Sequence, residues 1–273
     1  MALPAGKGTQ QLKEKKNMMT KRIVLLLFFA VLLGLSACGV LQEPEEASAP
    51  LEAIPLEVAP TETAVMQESV VEEAEEATAA EPAAPQEPTT AETTGGTVVY
   101  TITPGESQVR FELDEDLRGS RITVVGTTDQ VAGQIGVDLA NLAATQVGVL
   151  QINARTLATD NNFRNRAIQN EILNTGSYEF ITFTPTAVTG LPANATIGDT
   201  LTFTIEGELT IRDVTAPATF EVTATAVSDN QITGTATTTI LRETYGLTIP
   251  SVPNVANVEE EVELYIEFIA NAS

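Results

Sequence analysis

The chain predicts an all-β domain over residues 97–273, and three features of its pattern carry that prediction. Runs at 98–103, 108–113, 121–126, 147–154, 179–188, 201–211, 219–227, 232–241 and 261–270 are rich in Val, Ile, Thr, Phe and Tyr, which suit a pleated, half-buried surface. Turn chemistry separates them at Pro104-Gly105, Ala193-Asn194, Gly198-Asp199 and Ser228-Asp229-Asn230. The longest runs also alternate. Val262, Leu264, Ile266 and Phe268 fall on one face, with Glu261, Glu263, Tyr265 and Glu267 on the other. Leu201, Phe203, Ile205, Gly207, Leu209 and Ile211 likewise oppose Thr202, Thr204, Glu206, Glu208 and Thr210. A period of two over that length marks half-buried strands of an antiparallel sheet. So many strands need two packed sheets or a closed barrel, and periodicity alone does not choose between them.

Ahead of this domain, residues 1–37 read as a signal peptide. Lys21 and Arg22 form a basic start, and the apolar run 23–35 falls short of the roughly 20 residues needed to span a bilayer. Leu35, Ser36, Ala37 and Cys38 then resemble the lipobox of bacterial lipoproteins. That resemblance implies cleavage before Cys38 and acylation of its thiol, leaving an extracytoplasmic protein anchored at a membrane of the cell envelope or periplasm. Cys38 is the chain's single cysteine, so no intramolecular disulfide is available. Met18 or Met19 is a more natural start than Met1, because the residues before them only lengthen the basic region.

Residues 38–96 are expected to be a disordered acidic linker. From Gly39 to Gly96 there is no Lys or Arg, and Pro44, Pro50, Pro55, Pro60, Pro82, Pro85 and Pro88 recur among Glu, Ala and Thr. Such a composition buries too little apolar surface to offset chain entropy. As a flexible coil of about 58 residues it would span roughly 40 Å, more with charge repulsion. A short helix over 65–80 is conceivable, opposed by Glu72, Glu73, Glu75 and Glu76.

One stretch of the domain breaks the alternation. Between Thr156 and Thr175, Asp160 is a candidate N-cap, and Phe163, Ala167, Ile168 and Ile172 follow at helical spacing. A single helix in an all-β chain suits a lid or plug at a barrel mouth, or a plain crossover packed on the core.

These residues carry a family resemblance. INARTLATDNNFRNRAIQNEILNTGSYEFITFTPTAV is similar to the central signature of the YceI-like family; GELTIRDVTAPATFEV resembles its Gly-x-Leu-Thr-Ile-x-Gly-Val-Thr-x-Pro hairpin, and TTTILRETYGLTI its Arg-x-x-Phe-Gly strand. The matches run in order from Val98 to Ala270. The resemblance implies an extended, lipocalin-like antiparallel β-barrel with one short helical insertion, whose apolar tunnel holds a long isoprenoid chain of quinone or prenyl type. Departures fall at the polar mouth, where Arg-Asp-x-His becomes Arg164-Asn165-Arg166-Ala167 and Tyr-Pro becomes Tyr178-Glu179.

On that reading the apolar strand faces supply candidate tunnel residues: Phe111, Leu113, Ile152, Phe183, Leu201, Phe203, Ile205, Leu209, Phe220, Val222, Val262, Leu264, Ile266 and Phe268. Each serves equally as ordinary core, and in a small barrel the two coincide. Arg155, Phe163, Arg164 and Arg166 are the candidate mouth, where guanidinium groups suit an anionic or carbonyl head group. The same arginines also suit salt bridges to local carboxylates. Burying a 40-carbon tail from water would yield on the order of 30 kcal/mol at about 0.8 kcal/mol per methylene, beyond any non-covalent complex. From a bilayer the transfer is close to neutral, which favours a carrier or reservoir.

Other classes are disfavoured. The chain has no histidine, and the domain has no lysine and no thiol, so the usual general bases, zinc ligands and nucleophiles are missing. Glu206 and Glu208 share a strand face, but it is the polar one, so they read as solvated surface. No enzyme activity, metal or cofactor is expected. A net charge of −23 opposes nucleic-acid binding. Partners are then an isoprenoid lipid and, through Cys38, a membrane. A solid-cored structural or interaction module of the envelope is the competing class.

Overall fold

The computed structural model describes residues 42–56 and 96–273. The signal segment, Cys38 and linker residues 57–95 lie outside the described residues.

The domain is an eight-stranded antiparallel barrel in which each strand pairs with its neighbours in sequence and the last pairs with the first. The first strand has two parts, β1 (Val98–Ile102) and β2 (Gln108–Leu117), separated by the Pro104-Gly105 turn. The second is β3 (Ser120–Thr128) continued by β4 (Val131–Val137), and the third is β5 (Gln146–Val147) with β6 (Leu150–Asn153). Then come β7 (Phe180–Thr189), β8 (Thr200–Ile211), β9 (Val214–Ser228) and β10 (Gln231–Leu241). A two-residue strand, β11 (Val255–Ala256), pairs antiparallel with the end of β2 at Leu117 and Asp116, and β12 (Glu261–Ala272) closes the ring. Closure uses both halves of the first strand: Glu263 to Glu267 pair with Glu112 to Gln108, and Ala270 to Ala272 with Ile102 to Tyr100.

Closure also explains three of the strand glycines, Gly126, Gly207 and Gly234. A phenyl ring lies over each: Phe111 over Gly126, Phe183 over Gly207 and Phe268 over Gly234. The absent side chain makes room for a ring that fills the interior, and glycine lets the strand bend sharply at a barrel corner.

Two sequence expectations need correction. The expected strand 147–154 is broken at Gly148 into β5 and β6, and VAGQIGV at 131–137, not foreseen as a strand, is β4. The insertion is helical as expected, but its N-cap is Asn161, whose side-chain oxygen accepts from the Phe163 and Arg164 amides at 2.9 and 3.2 Å. Asp160 pairs with Arg164 instead, at 2.5 Å. Helix α1 (Asn162–Ala167) then widens into a π-turn, Ile168–Ile172, which brings Ile168 into the core.

Within the long connection 242–260, Arg242 ties the two ends together. Arg242 is buried and donates Nε to Glu259 O (2.6 Å), Nη1 to Leu247 O (3.1 Å), and Nη2 to Val258 O (3.2 Å) and Glu260 Oε1 (2.7 Å). Arg242→Met leaves three carbonyls without their donor. It is expected to cost about 2–4 kcal/mol, read as a lowered thermal midpoint with hydrogen exchange rising first in 246–260.

Candidate functional site

The barrel has two distinct ends. One carries α1, the β8–β9 turn and the 242–260 connection. The other carries the β4–β5 loop (138–145), the β7–β8 loop (190–199), the β9–β10 turn and the end of β12. At the helix end large side chains pack together in the interior: Phe183 and Phe220 meet edge to face at 4.8 Å, and Leu209, Ile211, Leu157, Ile168, Leu173 and Tyr245 are buried in the same cluster. Burial pushes the Tyr245 hydroxyl above its ordinary range, and the nearby Glu208 charge adds to this.

The opposite half holds an apolar cavity with a free volume of about 90 Å³. Residues of β8, β9, β10 and β12 form one wall, and Ile135, Val137, Val147 and Leu150 form the other. Thr145 is the only lining residue with a polar side chain among the described residues. Leu139, Leu142 and Leu191 cap the end, where two loops are joined by Leu142 N–H to Ala193 O at 3.0 Å and Ala195 N–H to Leu139 O at 2.9 Å. An apolar void of this kind stays dry and takes hydrocarbon.

The candidate tunnel residues divide between these halves. Leu201, Phe203, Ile205, Val222, Ile266 and Phe268 line the cavity. Ile152, Phe183, Leu209, Phe220 and Val262 are buried outside it, while Phe111, Leu113 and Leu264 are half-buried against the core. Sequence reasoning missed Ala224, Ala226, Ile232 and Ala236, although they continue the alternation of 219–227 and 232–241. Ile135 and Val137 carried no such signal, because β4 is buried along most of its length and does not alternate.

The candidate mouth residues lie at the helix end, away from the cavity. Arg164 bridges Glu115 at 2.9 Å and Asp160 at 2.5 Å. Phe163 is exposed on α1, and Arg166 is half-buried. Arg155 is fully committed. It donates to the carbonyls of Thr175, Gly176 and Glu46 and contacts Glu179 at 3.2 Å and Glu45 at 2.9 Å.

Glu45 and Glu46 belong to the part of the linker that is described. Residues 44–56 lie along the barrel as extended chain within one compact unit, 44–273. The Ser48 amide donates to Glu179 Oε1 at 2.8 Å and the Leu56 amide to Gln134 Oε1 at 2.7 Å, with Leu51 buried between them. Burial raises the Glu179 carboxyl, but hydrogen bonds from Ser48 and Asn153, with the Arg155 charge, outweigh it and hold the group below the ordinary carboxylate range. A lowered folded value means that the unfolded chain binds the proton more tightly. The contribution is therefore complete above the ordinary glutamate range and is lost as pH falls through the lowered value. The charged groups facing Glu179 are Arg155 and, across it, Glu45. Amide exchange in 44–56 is expected to rise below that range in the native chain, and already at neutral pH in Glu179→Gln.

Among the described residues no helix is long and apolar enough to cross a membrane, and no group of three His, Cys, Asp or Glu is placed to hold a metal.

Comparison with known proteins fixes the fold. A polyisoprenoid binding domain from Saccharophagus degradans, implicated in plant cell wall breakdown, superposes with a TM-score of 0.52 at 14% identity, covering 65% of this chain and 100% of that one. BcnA of Burkholderia cenocepacia gives 0.49 at 17% identity over 62% of this chain and 98% of that one. The Campylobacter jejuni YceI protein gives 0.45 at 19% over 54% and 84%. No curated protein matches the sequence. Residues 100–270 match the YceI-like domain, and the chain accordingly belongs to the YceI-like family.

Proposed function

We propose that this domain holds or carries the hydrocarbon chain of a long isoprenoid inside the barrel, on a protein tethered by a lipid at Cys38 to a membrane outside the cytoplasm. The observation that carries the reading is the cavity, an apolar chamber at one end of a closed barrel, lined by side chains that neither hydrogen-bond nor ionise apart from Thr145. The Saccharophagus relative, named for polyisoprenoid binding, supports the same ligand class.

The cavity's position refines the head group. The rim at its end carries Asp138, Asp199 and Asp229 and no Lys or Arg within 138–145, 190–199 or 228–230. Hydrogen bonds from the Thr196 amide and hydroxyl hold Asp199 below the ordinary range, so it is ionised at neutral pH. An anionic head such as a pyrophosphate is repelled there, whereas a neutral quinone or alcohol is not.

The small free volume favours a second reading, an envelope module whose barrel is filled by its own side chains. Organic extraction of the full-length protein purified from membranes, followed by mass spectrometry, separates the two. A co-purified neutral prenyl lipid supports the carrier, and repeated recovery of none supports the module.

A further inference from the structure

The free volume and the ligand proposed above differ greatly in size. A methylene occupies about as much space as a water molecule, roughly 30 Å³, so a 40-carbon chain needs on the order of 1,200 Å³. The cavity offers less even when all of its empty space, open solvent included, is counted: about 780 Å³. The barrel must widen to admit such a chain, and it widens where its wall is weakest.

The strand ladders identify that place. β8 and β9 pair along their full length from Thr200–Thr225 to Ile211–Val214, and β10 with β12 from Gln231–Asn271 to Leu241–Glu261. β6, by contrast, pairs with β7 only from Leu150–Phe183 to Asn153–Phe180, and with β4 only at Val131–Ile152 and Ala132–Gln151. β5 pairs with β4 alone. Residues 146–149 thus run beside 184–189 with no hydrogen-bond ladder between them among the described residues. This seam is cavity wall, since Val147, Leu150 and Leu191 line the chamber on that side.

Residues 44–56 fasten the elements around the seam. Ser48 holds Glu179, at the start of β7; Arg155, just after β6, holds Glu45, Glu46 and Glu179; Leu56 holds Gln134 on β4 and lies against Gly148, between β5 and β6. We propose that this linker segment is a strap that latches the seam between the third and fourth strands, and that its release is the step that lets the barrel widen and take up a prenyl chain. The proposal rests on the carrier reading above.

The test uses the full-length protein and two variants: Glu45→Lys, which sets a cation against Arg155 from an exposed position, and Leu51→Asp, which unseats the strap's buried side chain. The probe is a dansyl-labelled prenol in phosphatidylcholine vesicles, with uptake followed by stopped-flow fluorescence. Both variants should take up the probe roughly fivefold faster or more, the factor that about 1 kcal/mol of latch energy sets, to the same final level as the parent. Amide exchange should rise across 146–150 and 184–189. Equal rates with equal final levels overturn the strap and leave the carrier reading standing, as does unchanged exchange in the seam. No uptake by parent or variants overturns the carrier reading and the strap with it.

Discussion

Filling the chamber from its alanine side is expected to eliminate bound prenyl lipid while leaving the barrel folded. Ala224 and Ala236 line the cavity from β9 and β10. Replacing both with Leu adds six carbon atoms, roughly 180 Å³ at the volume of a methylene, to a chamber whose whole empty space is about 780 Å³. In a well-packed core such additions cost about 1–3 kcal/mol, but here the void takes up the new atoms, so stability should change by less than about 1.5 kcal/mol. The ligand loses the space instead. Each tenfold loss of binding needs only about 1.4 kcal/mol, so the lipid recovered from Ala224→Leu/Ala236→Leu should fall at least tenfold at an almost unchanged melting temperature. Equal recovery from parent and variant would remove the ligand from this chamber.

A large loss of stability is expected at Gly234, as at Gly207, where the same kind of backbone contact recurs against Thr184. A Cβ built there would lie 2.5 Å from the Thr223 carbonyl oxygen and 2.7 Å from the Phe268 ring. The first contact is backbone and cannot swing away, and the ring is buried against the core. Gly234→Ala should therefore cost about 3 kcal/mol, lowering the midpoint by roughly 6–12 °C for a domain of this size. At Gly126 the three nearest atoms all belong to the side chain of Phe111, which is half-buried on β2, and none to backbone. The cost of Gly126→Ala should be smaller, and it should shrink further in a Phe111→Leu background, a coupling that a double-mutant cycle reads directly. Equal losses at Gly234 and Gly126 would mean that the backbone contact is not what decides.

How much of this was legible in the sequence follows from where period two survives. β8 and β12 each bury one face and show the other, so Leu201 to Ile211 and Val262 to Phe268 declared their orientation. β4 buries Val131, Ala132 and Gly133 in succession, which erases the alternation and hid the strand. Gly148 looked like an interior strand residue, and its small size is explained by the close backbone carbonyl of Gln134 on β4, with Leu56 against it at ordinary contact distance. The helix was legible, its cap was not: Asp160 and Asn161 are both good caps, and the salt bridge to Arg164 draws Asp160 aside.

The site was less legible than the fold. An alternating apolar face reads the same whether its side chains pack solidly or leave a chamber, so Phe183 and Phe220 could not be told from Phe203 by pattern alone. The arginines of 155–166 sit together in sequence, but the sequence does not say which carboxylates reach them. Glu115, Glu179 and Glu45 come from three distant segments. Leu51 is one apolar residue in an acidic, proline-rich stretch, and nothing in composition marks it as buried.

The most direct test of the central claim is a crystal structure of the full-length protein purified from membranes without stripping its lipid. The expected result is a continuous tube of density starting among Phe203, Val222 and Phe268, accompanied by parting of residues 146–149 from 184–189. An interior closed over the same small void, with those segments still side by side in protein saturated with prenol, would contradict it.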